Sequence, residues 1–235
     1  MEIFNPEKAK PKKYLPEVRT IIDIINNEGK KEEDKNFLKN REKDLTSMSE
    51  KKETLRHSQR MTNLGYLLAK KMNFSDEETK FFVEACLLHD IGKTAVPRKY
   101  LGKPSKKFSD KDLKVVSEHS VLGYKYLKDK GRNSRVYNPI LLHHEFQTRP
   151  YPHTKASILR ILGAMDDTDI DNGRLLAIID NFDTQAFGRS YVDIKSAPLG
   201  EVKKWIQVEA GFNQPGDEEI IDFLCDQYEK IKELS

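Results

Sequence analysis

Residues 85–93 read ACLLHDIGK, and this stretch decides how the rest of the chain is taken. Phe82 and Cys86 lie four residues apart, so on a helix they share one inward face. The spacing predicts a helix that ends at His89-Asp90, with Gly92 just beyond it as a stop signal. Outward from here, helix signals recur. Ser47-x-x-Glu50, Ser75-x-x-Glu78 and Ser109-x-x-Asp112 each fit a capping box, in which a hydroxyl and an acid satisfy each other's backbone N–H groups. Asn138-Pro139 offers an N-cap followed by proline at the first helical position, and Gly131 closes a helix ending near Lys130. No segment sustains a two-residue alternation between turns. The best strand candidate, Leu175–Ile179, reads equally well as a buried helix. The expected fold is all-α, a bundle of helices.

The chain has 235 residues, of which 37% are hydrophobic and 34% charged, enough apolar material for one large core. Its net charge of +3, from 41 basic and 38 acidic residues, lacks the clustered basic excess of a DNA or RNA binder. No apolar run approaches the ~18–20 residues that span a bilayer, and the first residues lack the apolar core of a signal peptide. Cys86 and Cys225 stand apart in apolar helical settings and read as reduced core thiols in a cytoplasmic protein. Residues 1–46 differ in character. They carry Pro6, Pro11 and Pro16, a short apolar stretch from Val18 to Ile25, and the charge run Glu28–Asp34. We read them as a charged arm with one docking helix, ahead of a catalytic domain over 47–235. The arm leaves open a dimerising role, and so a homodimer.

Five of the six histidines fall on or beside expected helices: His57, His89, His119, His143 and His144. Any one alone would pass as an ordinary core or surface histidine. Their positions argue otherwise. His57 continues a stripe with Met61, Leu64, Leu68 and Met72, and His119 lies with Val116, Gly123 and Leu127. Each imidazole thus points where the apolar residues point. Burying that many polar rings without partners costs several kcal/mol. A shared metal centre removes the cost, because neutral imidazole and carboxylate are suitable ligands. His89 and Asp90 are about 100° apart on a helix. Asp90, with two oxygens, can bridge two ions while His89 binds one. His143-His144 forms a second adjacent pair. Glu53 precedes His57 by four residues, which puts both on one helical face, although it also reads as a solvated acid among charged neighbours.

These residues resemble the HD superfamily of metal-dependent phosphohydrolases in the order His57, His89-Asp90, His119, His143-His144, Asp180. The likeness to HD-GYP domains is longer. It takes in ACLLHDIGKTAVPRKYLGKPSKKFSDKDL, SEHSVLGYKYL, LLHHE, GRLLAIIDNFDT and EAGFNQPGDEEIIDFL, over about residues 47–228. The resemblance implies a cyclic di-GMP phosphodiesterase yielding linear dinucleotide, GMP or both. It implies two or three divalent metal ions, iron or manganese, held by His57, His89, Asp90, His119, His143, His144 and Asp180. Glu53 stands where three-metal members carry a glutamate. Lys93 would contact a substrate phosphate, Arg189 would bind another phosphate oxygen, and Tyr151 would hold the nucleotide. Asp90 and Lys93 are thus the residues closest to the chemistry. A bridged metal pair would supply hydroxide near neutral pH, in line with the departing ribose oxygen.

Two departures bear on the substrate. The family's Gly-Tyr-Pro is here Pro150-Tyr151-Pro152, and proline removes both the freedom and the N–H of that position. The segment between His144 and Asp180 is also longer, around an acidic cluster of Asp166, Asp167, Asp169 and Asp171 that reads as a solvated loop or helix cap. Lys195 is the residue available to replace a lysine that usually follows Arg189. Asp183, three residues after Asp180, either orients a ligand or serves as a structural hydrogen-bond partner. His153 reads as a surface residue. Three alternatives stay open: hydrolysis of another cyclic dinucleotide or nucleotide, a receptor that binds without cutting, and a mixed-valent diiron oxygenase with a similar ligand order.

Overall fold

The computed structural model describes residues 14–28, 48–101, 109–148, 150, 163, 165–188 and 195–234, and only the backbone of 26–28, 48–55, 98 and 110. Among them are nine α-helices and no strand, in agreement with the expected all-α class. The helices are α1 (Pro16–Glu28), α2 (Met48–Lys71), α3 (Asp76–Leu88), α4 (Asp110–Ser117), α5 (His119–Asp129), α6 (Ser134–Leu142), α7 (Asp167–Phe187), α8 (Leu199–Val208) and α9 (Asp217–Leu234). Short 3₁₀ turns, Ile91–Ala95 and Arg98–Tyr100, follow α3. Leu175–Ile179 lies inside α7 and is fully or nearly buried, so the helical reading of that run holds.

The core is the meeting of α2, α3, α6 and α7, with α8 and α9 packed on α7 and α2. Met61, Leu64, Leu68, Phe82, Cys86, Ile140, Leu176, Ile179 and Phe182 fill it. Close approach depends on small residues. A Cβ on Gly65 would stand 2.5 Å from Cys86 Sγ, so glycine lets α2 and α3 touch at the thiol. Burial pushes the Cys86 thiol far up, which fits an inert core group. Both Cys86 and Cys225 are unbridged.

The capping boxes at Ser75/Glu78 and Ser109/Asp112 are formed. Gly131 takes a left-handed φ of 71° where α5 ends. Two readings need correction. Asn138-Pro139 does not start a helix: α6 begins earlier, capped by Asn133, whose side chain accepts from Arg135 N at 2.9 Å. The Asn138 amide is already engaged, donating to Asp169 at 2.6 Å, and Pro139 sits inside the helix. Helix α3 ends at Leu88 rather than Asp90, and Gly92 belongs to the following 3₁₀ turn. The apolar stretch from Val18 to Ile25 is helical, within α1, and packs on α2 and α3. Buried Asn63 accepts from Leu15 N at 3.0 Å. The Ser47 box lies outside the described residues.

Candidate metal centre

Three of the histidines stand where helices stop. The last carbonyls of a helix have no intrahelical N–H to accept from. His89 is the C-cap of α3, and its Nδ1 bonds to the carbonyl of Cys86 at 2.9 Å. His143 is the C-cap of α6, and its Nδ1 bonds to the Ile140 carbonyl at 2.6 Å. At the break between α4 and α5, His119 Nδ1 meets the Val116 carbonyl at 2.8 Å. The stripe expected from Val116 through His119 is therefore interrupted at Glu118, and the interruption is what turns the ring. A carbonyl only accepts, so each Nδ1 carries the proton and each Nε2 is a lone pair. His57 reaches the same state by another route, with Nδ1 2.6 Å from the carboxylate of Asp183.

Those lone pairs converge. His57 Nε2 and His89 Nε2 are 3.0 Å apart, and His119 and His143 Nε2 are 3.4 Å apart, with the His144 Nε2 nitrogen 3.2 Å from that of His119. Two acceptors at such distances repel unless something positive lies between them. Donors about 2.1 Å from one ion and at right angles to each other stand about 3.0 Å apart. The residues fit a metal on this ground. Two groups of converging donors emerge: His57, His89 and Asp90, and His119, His143 and His144. Within each group the ligand atoms lie within 4.8 Å of one another. Asp90 links them. Its Oδ2 is 3.6 Å from His89 Nε2 and 3.9 Å from His57 Nε2, while its Oδ1 is 3.4 Å from His119 Nε2. Its two oxygens thus face different donor groups, Oδ2 toward His57 and His89 and Oδ1 toward His119. Asp180, on α7, brings Oδ1 to 3.5 Å from His57 Nε2.

Burial shapes the charges. It holds the His119 imidazole down at about 4, helped by Lys93, and the His143 imidazole down at about 3, helped by His119 and His89. His144 is driven well below the usual imidazole value by burial, then by His143 and His119. Burial opposes ionisation of Asp90, but Lys93, His89, His119 and His57 outweigh it and hold its carboxyl well below the usual range. Lys93 Nζ donates to Asp90 Oδ2 at 2.7 Å and is partly exposed. Neutral rings with an ionised bridging carboxylate are the protonation states that metal binding requires.

One consequence is testable without metal. In the unfolded chain these imidazoles take up protons near pH 6.5, but in the folded chain only near 4 and 3. Between those values the unfolded state binds more protons, so folding stability falls as pH falls. His119 alone contributes on the order of 3 kcal/mol to this loss. Thermal melting of chelator-treated protein should therefore drop steadily from pH 7 to pH 4. A flat melting temperature over that range would contradict the buried, neutral state of the rings.

The structure also supplies residues that sequence reasoning missed. Arg60 donates from Nε to Asp183 Oδ1 at 2.5 Å and from Nη2 to Oδ2 at 3.0 Å. Arg60 stands three residues after His57 on α2, so helical spacing was the available signal. Gln147 approaches His144 Nδ1 at 3.2 Å through its side-chain amide. Asp183 touches both the His57 ring and the Arg60 guanidinium, so each of the two roles weighed for it has a contact behind it. The acidic cluster is a helix start: Asp166 caps α7, and Asp169 is tied to Arg135 and Asn138. The backbone of Glu53 lies on α2, one turn before His57, while Tyr151, Pro152, His153 and Arg189 fall outside the described residues. Lys195 and Pro150 are exposed.

A family model described as the HD domain matches residues 54–185, more than half of the chain. The chain belongs to the HD domain family. Among curated proteins, this HD domain is 31% identical over 136 residues to the cyclic di-GMP phosphodiesterase response regulator RpfG of Xanthomonas campestris, covering 57% of the chain and 33% of that protein. It is 33% identical over 145 residues to the 3'3'-cGAMP-specific phosphodiesterase 2 of Vibrio cholerae, covering 60% of the chain and 26% of that protein. The chain thus spans a third or less of the length of these two relatives. Among solved structures, Bd1817, an HDG"Y"P protein from Bdellovibrio bacteriovorus, superposes with a TM-score of 0.53 at 20% identity, covering 73% of this chain and 52% of that one. That likeness is one of fold.

Proposed function

We propose that this HD domain is a metal-dependent phosphodiesterase that opens cyclic di-GMP to the linear dinucleotide, to GMP, or to both. The observation that carries the reading is the pair of donor groups, three ligands each, joined by the two oxygens of Asp90. Two of the curated relatives carry cyclic-dinucleotide phosphodiesterase names, which supports the substrate class. His57, His89, Asp90, His119, His143, His144 and Asp180 would hold two divalent ions, iron or manganese. Glu53 would add a ligand for a third. Such ions act as Lewis acids and lower the pKa of bound water toward neutrality. The protein's own part is placement. The helix-end carbonyls and Asp183 keep the ring protons on Nδ1. Lys93, partly exposed beside Asp90, presents a cation to a phosphate oxygen of the substrate. Tyr151 and Arg189 would hold the nucleotide and a second phosphate oxygen. Residues 1–46 would serve as an arm with a docking helix before the catalytic part, in a cytoplasmic protein that forms no complex with DNA or RNA. Among the described residues no helix is long and apolar enough to cross a membrane.

A second reading has its own support. Pro150 replaces the glycine of the family loop, and the Vibrio cholerae relative is named for 3'3'-cGAMP. Hydrolysis of another cyclic dinucleotide is therefore the runner-up. The test is to purify the chain without oxygen, count its metal, and supply cyclic di-GMP and 3'3'-cGAMP separately. We expect two or three metal ions per chain and linear product from cyclic di-GMP. Product from 3'3'-cGAMP alone would transfer the assignment to the second reading. Binding without product from metal-replete protein would replace the enzyme by a receptor.

A further inference from the structure

Helices α2 and α7 meet at two levels. At the first, His57 Nε2 and Asp180 Oδ1, both acceptors, face each other at 3.5 Å as two of the converging donors. One turn along both helices, Arg60 and Asp183 make the second. Arg60 and Asp183 are 3% and 0% exposed, so this is a buried ion pair between residues 123 apart in sequence. The guanidinium also lies 4.6 Å from the ring centre of Phe187, in the last turn of α7. Its positive charge there suits the negative end of that helix.

The fork does more than join helices. A carboxylate with both oxygens engaged by a planar guanidinium has its plane fixed. Oδ2 of Asp183 takes one bond from Arg60 and faces His57 Nδ1 at 2.6 Å with its remaining lone pair. The imidazole plane is set in turn, and so is the direction of its Nε2. Burial alone would raise the Asp183 carboxyl. Arg60, with His57, instead holds it down at about 2.

We infer that Arg60 is a positioning residue for the metal centre: through Asp183 it fixes the ring of His57 as a ligand, without touching the metal or the substrate itself. The inference rests on the metal reading above. A purely structural ion pair would tie α2 to α7 equally well, and replacing both partners with apolar residues would then restore everything. A positioning pair differs, because an apolar replacement gives His57 Nδ1 no acceptor.

The test is Mn²⁺ titration of the full, metal-stripped chain, alongside thermal melting of the same samples. Arg60→Met should weaken Mn²⁺ binding by about 10–100-fold, the range typical for loss of an outer partner of a metal ligand. Arg60→Lys keeps the charge but not the fork and should recover part of that loss. The double variant Arg60→Met/Asp183→Leu should regain melting temperature and still bind Mn²⁺ weakly. If Arg60→Met fails to fold, the lysine and double variants carry the comparison. Wild-type affinity in Arg60→Met, or affinity regained together with stability in the double variant, overturns the positioning role alone. A wild-type chain that binds no Mn²⁺ overturns the metal reading and this inference with it.

Discussion

Replacing Asp90 by alanine is expected to empty the metal centre and to lower phosphodiesterase activity by about three orders of magnitude or more, the equivalent of several kcal/mol of lost charge stabilisation. The expectation follows from where its two oxygens stand. Oδ2 serves the His57 and His89 side, and Oδ1 serves His119. Removing another ligand depletes one donor group. Removing Asp90 depletes both and deletes the anion between them. The fold should survive, because the side chain's other partner, Lys93, is partly exposed and can turn to water. Its partners hold the Asp90 carboxyl well below the usual range, so at neutral pH it stabilises the metal-free fold, and the metal-free variant should melt somewhat lower than metal-free wild type. Asp90→Asn keeps one oxygen acceptor but loses the charge, and should retain intermediate metal. Elemental analysis, melting and product formation on the same samples separate these effects. Full metal content and activity in the alanine variant would exclude a bridged centre.

That the histidines and Asp90 face one interior was legible in the sequence, because helical spacing carries it. His57 shares a face with Met61 and Leu64, and His89-Asp90 follows the inward residues Phe82 and Cys86. What spacing does not carry is the second nitrogen of each ring. The Nδ1 partners of His89, His119 and His143 are carbonyls exposed by helix ends. Locating them needs those ends to a residue, and sequence signals place them less sharply. The end of α3 was read two residues late, and the start of α6 was misplaced because Asn138 looked like a cap when Asp169, 31 residues on, had claimed its amide. Arg60 shows the same limit. Its spacing from His57 was visible, but its partner lies 123 residues away, across a packing of helices that no local pattern encodes.

Gly92→Ala is expected to cost the fold heavily, and metal affinity with it. Gly92 was read as a helix stop, a role in which alanine would be a modest burden. The structure gives it a different one. Its φ is not left-handed, so conformational freedom is not the issue. The 3₁₀ turn of Ile91–Ala95 presses against α5 at this point, and an added Cβ would collide with the carbonyl of His119 and stand 2.5 Å from Gly123 N. Both obstacles are backbone, so no rotamer change relieves them. The turn and α5 must separate. Overpacking of a tight core typically costs about 1–3 kcal/mol, and a backbone collision belongs at or above the top of that range. Asp90 immediately precedes the turn and His119 begins α5, and their side chains stand 3.4 Å apart between the two donor groups. Moving one element from the other therefore opens the bridge itself. Chemical denaturation should show a large fall in midpoint, and metal retained per folded chain should fall as well. Stability lost with metal affinity intact would mean that the turn and α5 move together, and that Gly92 matters to packing alone.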